Sequence, residues 1–283
     1  MLTDYHLHLR PDEAEATAER SYTSANAERY RLAASEQGIA ELGVSEHVYR
    51  FRQALALWRH PFWERYAVDD IDEYCSFVRE QTDLRLGIEA DFVAGAEDRT
   101  AALLESRDFD YVVGSVHFIR DGAVDMDDFG VWDPKRPDLT PDRIWTRYFE
   151  TVAESARSGL FDIIAHPDLV KIWGDAHPER VPDRDPRFYY EPAVEAFSEA
   201  GVAVEVSTAG LRKPVGEIYP ARGFLEMCVE AELPVALSSD AHRPADVGAG
   251  YEQALELLDE LGVRELSVFE HRRRRPEPIG ATA

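Results

Sequence analysis

A short β-rich run followed by a longer stretch of helical spacing recurs along nearly the whole chain, and this alternation narrows the possible folds more than any other feature. The runs are LTDYHLH (2–8), LGVSEH (42–47), LRLGIEA (84–90), YVVGSVH (111–117), FDIIAH (161–166), VAVEVST (202–208) and PVALSSD (234–240), with an eighth, ELSVFE, at 265–270. The segments between them carry helix punctuation: over 141–159, Thr140 can cap, Pro141 takes the first turn and Gly159 stops the helix. Other helical stretches end at Gly38, Gly201 and Gly262. Strands alternating with helices predict a parallel sheet, and seven or eight such units predict closure into a barrel. An open doubly wound sheet is the other architecture open to this pattern, but no G-x-G-x-x-G follows the first strand, so its dinucleotide-binding form lacks support. With 283 residues, the expectation is one barrel domain over 1–283, the end from 271 onward forming a tail.

Charge and composition remove several function classes. Fifty-five acidic against 31 basic residues give a net charge of -24, a field that repels nucleic-acid backbones and anionic membranes. The one basic run, Arg272 to Arg275, reads as part of a solvated tail. No apolar stretch approaches the ~18 residues of a membrane span, and the first 20 residues lack a basic start with an apolar run, so a cytoplasmic location is expected. Cys75 and Cys228 fall in helix-like segments without a C-x-x-C partner and read as buried reduced thiols.

Two connections are long: Val48 to Val68, rich in aromatics, and Phe118 to Leu139, rich in Asp and Pro. Long connections in a compact domain are usually functional. Both follow strand ends, on the face where barrels keep their chemistry, and are expected to wall a pocket.

The nine histidines are not scattered at random. His6 and His8 alternate on the first run and point to one side; His47, His117 and His166 close the second, fourth and fifth, and His242 follows Asp240 at the end of the seventh. Glu89 ends the third. In a parallel barrel these ends meet on one rim, so donors spread from position 6 to position 242 become neighbours. Neutral imidazole and carboxylate are the donors that zinc, manganese and iron accept, and eight of them exceed one catalytic site, which implies two or three divalent metals with a bridging carboxylate. His60, His177 and His271 fall outside the pattern and read as ordinary loop or surface residues.

Y-H-L-H at 5–8, S-E-H at 45–47, G-I-E-A-D-F at 87–92, V-G-S-V-H-F-I at 113–119, A-H-P-D-L-V-K at 165–171, T-A-G-L-R-K-P at 208–214 and S-D-A-H-R-P at 239–244 resemble, in order, the polymerase-and-histidinol-phosphatase (PHP) domain family, and within it the monofunctional histidinol-phosphate phosphatases of histidine biosynthesis. The resemblance implies a distorted (β/α)7 TIM-like barrel with a trinuclear metal centre at the C-terminal strand ends, which makes the eighth run peripheral. It places His6, His8, Glu89 and Asp240 at a first metal. Glu89 bridges to a second with His117 and His166, and His47 and His242 hold a third. The chain departs from the family pattern after its first strand, where it reads L-R-P-D-E at 9–13: the remaining ligand of that third site is Asp12 or Glu13, or the site is weak.

The activity implied is hydrolysis of L-histidinol phosphate to L-histidinol and phosphate through metal-activated hydroxide. Cations about 3.5–4 Å apart can share a water, lower its pKa and aim it at phosphorus. Glu89, Asp240, His242 and Arg212 are the expected catalytic set; Arg212, whose planar fork suits phosphate oxygens, would bind the phosphoryl group with Lys213 or Lys171. Glu46 and Asp168 are read as partners orienting ligand imidazoles. Asp91, Asp125, Asp127 and Asp128 are candidates to face a cationic substrate or are simply solvated. The partner expected is thus a small phosphate ester, with no nucleic acid and no membrane. Alternatives are a PHP-type phosphoesterase or exonuclease acting on another phosphate ester, and a noncatalytic metal-binding module.

Overall fold

The computed structural model describes residues 1–13, 15–132 and 139–280. Seven parallel strands form one sheet: β1 (Leu2–Asp4), β2 (Ile39–Val44), β3 (Arg85–Asp91), β4 (Tyr111–Ser115), β7 (Ile163–Ile164), β8 (Ala203–Ser207) and β9 (Val235–Ser238), in the order β1-β2-β3-β4-β7-β8-β9. The intervening β5 (Phe118–Ile119) and β6 (Gly122–Ala123) form a small hairpin of their own after β4. The sheet closes beyond the ends of β9 and β1, where Leu7 bridges Ala241 and the His8 amide donates to the Ala241 carbonyl at 2.8 Å. The fold is thus a distorted seven-stranded barrel, and its irregularity sits where β1 and β7 are shortest.

Local chemistry sets the helices that wrap it. Pro141–Arg157 begins with Thr140 accepting from the Arg143 amide and Pro141 in the first turn, and the chain turns away at Gly159, whose φ of +69° suits glycine. Asp70 caps Ile71–Gln81 by accepting from the Asp72 amide at 2.9 Å. The strands between such helices are buried almost throughout, as expected when both faces of a parallel sheet are covered. Tyr111 fills the barrel interior because Gly43 and Gly87 carry no side chain: a Cβ on Gly87 would lie 2.3 Å from its ring.

The end of the chain departs from the tail expected of it. The peripheral run is β10 (Glu265–Glu270), and Arg273–Pro278 pairs with it antiparallel as β11; residues 281–283 of that expected tail lie outside the described residues. The hairpin is ordered because it plugs the N-terminal mouth of the barrel. Val268 and Phe269 pack among Tyr5, Tyr111, Val113, Ile163 and Ala203. Two of the exposed arginines of the run also satisfy main-chain carbonyls: Arg272 donates to Leu160 at 2.8 Å and Arg274 to Gly201 at 3.1 Å. Cys228 is buried and Cys75 half-buried, both free thiols. Among the described residues no helix is long and apolar enough to cross a membrane.

Phe269→Ala should lower the unfolding free energy by about 3–5 kcal/mol, the range for emptying a buried aromatic site. Arg273→Ala, on the exposed outer strand, should change it by less than about 0.5 kcal/mol. Urea denaturation followed by circular dichroism measures both, and equal effects would show that the hairpin does not plug the barrel.

Candidate metal centre

The C-terminal strand ends converge as the histidine pattern requires. His6 and His8 leave β1 on one side; Glu89 lies on β3, and His47, His117, His166 and Asp240 follow β2, β4, β7 and β9. The Nε2 atoms of His6 and His8 lie 3.5 and 3.7 Å from Glu89 Oε2, and 3.7 and 3.4 Å from Asp240 Oδ1. On the other side of the same carboxylate, Glu89 Oε1 stands 3.4 Å from His117 Nε2 and 3.2 Å from His166 Nε2. A third group forms where His47 Nε2 meets His242 Nε2 at 3.4 Å, with Asp12 Oδ2 3.2 Å from the latter and His47 Nδ1 against Glu89 Oε2. Asp12 stands beside this group, whereas Glu13 is turned to Arg243 at 2.8 Å.

These donors fit cations. His6 Nε2, His8 Nε2, Glu89 Oε2 and Asp240 Oδ1 are buried without a hydrogen-bond partner among the described residues. Each unpaired buried polar atom costs about 1–3 kcal/mol, so several gathered within a few ångströms need a common partner. A divalent ion supplies one, and the imidazole-carboxylate set is of the type zinc, manganese and iron accept. His6, His8 and Asp240, His6, Glu89 and His166, and His8, His47 and His242 each converge closely enough to hold an ion.

Without a cation the cluster distributes protons unevenly. Burial opposes charge on His6, yet Glu205, Asp240 and Glu89 raise its pKa well above the usual imidazole value. For His117 the same burial is outweighed by Asp91 and Glu89, which push it up to about 10. His8 moves the other way, held well below its usual value by burial and by the neighbouring charges of His47 and His242. Burial would raise Glu89, but His47, His6 and His117 hold it well below the usual carboxylate range.

The backbone is held in place for these donors. His166 and Asp240 have φ of +24° and +50°, a region that non-glycine residues adopt only when their surroundings impose it. Asp4, missed in the sequence, accepts from the Ser239 amide at 3.1 Å and from its hydroxyl at 2.5 Å, and so anchors the turn that carries Asp240. Glu205 was missed too. It accepts from the His166 amide at 2.6 Å and faces His6 Nδ1 at 2.7 Å; its only signal in the sequence was an acid in the middle of the apolar run VAVEVST.

Other assignments shift. Asp91 orients His117 through Nδ1 at 2.8 Å instead of facing a substrate. Asp168 binds Lys171 at 3.2 Å and the Ala221 amide at 2.7 Å, not a ligand imidazole, while Glu46 serves Arg50 and the Arg10 amide and only approaches His8 Nδ1, at 4.0 Å. Lys171, expected on phosphate, is buried against Asp168 from its own turn after β7 and against Glu217 and the Ile218 carbonyl from the segment that follows β8. Arg212 is likewise drawn away from the wall: its guanidinium donates to the Ser239 and Asp240 carbonyls at 2.6 and 3.1 Å. Asp127 pairs with Arg180 at 3.0 Å, and Asp128 is exposed. His60, His177 and His271 stay out of the cluster, engaged with the Phe62 amide, Glu179 and Asp108.

The cluster opens into a cavity of about 590 Å³ whose wall includes His47, His117, His166, Asp240 and His242. Both long connections wall it: Tyr49, Phe62 and Tyr66 from the first, Phe118, Asp125 and Met126 from the second, with residues 133–138 of the latter outside the described residues. Lys213 lines the cavity and is exposed, and Asp125 Oδ1 is buried there without a hydrogen-bond partner among the described residues.

Known proteins resemble the chain in sequence and in fold. The PHP domain family model matches residues 19–209. A Deinococcus radiodurans protein named "Probable histidinol-phosphatase" is 32% identical over 282 residues, 97% of this chain and 99% of that protein. The "Histidinol-phosphatase" of Bacillus subtilis is 27% identical over 204 residues, 68% of this chain and 75% of that protein. The fold matches the crystal structure of histidinol phosphate phosphatase from Lactococcus lactis complexed with zinc, L-histidinol and phosphate, with a TM-score of 0.68 and 18% identity, covering 97% of this chain and 98% of that one.

Imidazoles whose pKa is raised keep their protons at neutral pH, so a binding cation must displace them. Titrating zinc into chelated protein in weak buffer should release protons, and apparent affinity should fall at least tenfold between pH 8 and pH 6. Affinity independent of pH would contradict this donor set.

Proposed function

The chain belongs to the PHP domain family, and we propose that it is a metal-dependent phosphomonoesterase that hydrolyses L-histidinol phosphate to L-histidinol and phosphate, a step of histidine biosynthesis. One observation carries the chemistry: the Glu89 carboxylate offers Oε2 to His6 and His8 and Oε1 to His117 and His166, the arrangement of a bridge between two cation sites. His6, His8, Glu89 and Asp240 would hold the first, Glu89, His117 and His166 the second, and His47, His242 and Asp12 a third. Bound there, divalent cations lower the pKa of a water and take up charge growing on the phosphoryl oxygens.

The chain's own side chains do the rest. Lys213, on the cavity wall, meets the phosphate dianion, and Arg212 acts behind it by bracing the main chain of Ser239 and Asp240. His242 Nδ1, 3.5 Å from Asp240 Oδ1 at the cavity, stands where a proton can pass to the departing alkoxide. Tyr49, Phe62, Tyr66 and Phe118 give an imidazole-bearing substrate flat apolar surface and exclude water. Asp125, with an oxygen left unpaired, faces the substrate's cationic nitrogen.

Chelated protein should be inactive on histidinol phosphate and recover with zinc or manganese, and Glu89→Gln should lose nearly all turnover because a neutral amide weakens both sites it joins. Restored wild-type enzyme that cleaves single-stranded DNA and leaves histidinol phosphate intact would overturn the assignment. Asp125→Asn should raise KM for histidinol phosphate by roughly 10- to 100-fold, the loss of one charge-assisted hydrogen bond. It should leave hydrolysis of an uncharged-alcohol phosphate ester nearly unchanged; equal loss on both substrates would remove Asp125 from recognition.

A further inference from the structure

We propose that Glu205 is a positioning residue that couples two of the cation sites from beneath, through the side chain of His6 and the main chain of His166. The inference rests on the metal-centre reading above. Glu205 lies in the middle of β8, is 1% exposed and is absent from the cavity wall, so it acts through its neighbours and not on substrate.

Its carboxylate meets three donors. Oε1 is 2.7 Å from His6 Nδ1 and accepts from the Ser238 hydroxyl at 2.5 Å; Oε2 accepts from the His166 amide at 2.6 Å. The first contact fixes a proton of His6 on Nδ1, so that Nε2, which points to Glu89 Oε2 and Asp240 Oδ1, is the atom left to meet a cation. The second holds His166 in its left-handed conformation, from which its Nε2 reaches Glu89 Oε1. One buried carboxylate thus fixes a donor on each side of the bridging Glu89. Asp91 does less, since it orients His117 alone, on the Oε1 side.

A glutamine at position 205 cannot satisfy the same three donors. With its oxygen toward His6, its NH2 opposes the His166 N–H. Turned over, the NH2 faces His6 Nδ1 and drives the proton to Nε2, the atom a cation needs. Either way both sites suffer, whereas Asp91→Asn disturbs only the site containing His117.

The test is zinc titration of the full chelated chain by calorimetry, with metal content measured after dialysis against fixed free zinc and far-UV circular dichroism reporting the fold. Glu205→Gln is expected to weaken two sites by 10- to 100-fold, the usual effect of losing a carboxylate behind a ligand imidazole, and Asp91→Asn to weaken one. A folded Glu205→Gln chain with wild-type binding, or with only the loss seen in Asp91→Asn, would overturn the proposal. A wild-type chain that binds no zinc would overturn the metal-centre reading itself. Nitrogen-15 spectra of zinc-loaded wild-type protein, with His6 assigned by its absence in His6→Gln, test the same point without depending on a variant's folding. Protonated Nδ1 is expected, and protonated Nε2 would refute the proposal.

Discussion

The two oxygens of Glu89 face opposite groups of imidazoles, and the upper half of the barrel is organised around that division. Oε2 meets His6 and His8, and Oε1 meets His117 and His166, all within 3.2–3.7 Å. A carboxylate so placed in a site 1% exposed is unstable as an isolated charge and needs positive charge on both sides. Protons supply it in the metal-free chain, which is why His6 and His117 are pushed up while Glu89 is held down. Divalent cations would supply it better, because each would also meet the donor atoms left without a hydrogen-bond partner among the described residues.

The barrel makes this arrangement possible by separating tasks between its two ends. At the N-terminal mouth, Tyr5, Tyr111 and the β10–β11 hairpin form an apolar plug. At the C-terminal mouth the strands end in polar groups, held from behind by buried carboxylates: Asp4 on the Ser239 turn, Asp91 on His117 and Glu205 on His6 and His166. The strained φ values at His166 and Asp240 belong to this mouth, where Glu205 accepts from the His166 amide and Arg212 donates to the Asp240 carbonyl.

The barrel and the gathering of imidazoles and acids on one rim were legible in the sequence because each depends on periodic, local information. Apolar runs mark strands, and a histidine or acid closing a run lands on a common rim once the runs lie parallel. What supports the ligands was not legible. His6 and Glu205 meet across 199 positions and His117 and Asp91 across 26, and no spacing rule announces such pairs. Arg212, Lys171 and Asp168 illustrate the converse: placed beside a ligand motif, each is drawn into contacts with nearby carbonyls or charges that only the folded chain presents. The arginine run is exposed as it looks but is no tail: it enters β11, and Arg272 and Arg274 also reach main-chain acceptors supplied far away in the sequence.

Element-specific anomalous diffraction from crystals of the zinc-loaded chain addresses the division at Glu89 most directly. Two peaks should flank its carboxylate within coordination distance, one shared with His6, His8 and Asp240 and the other with His117 and His166. Zinc bound elsewhere, or a single peak that leaves either oxygen of Glu89 uncoordinated, would contradict the account.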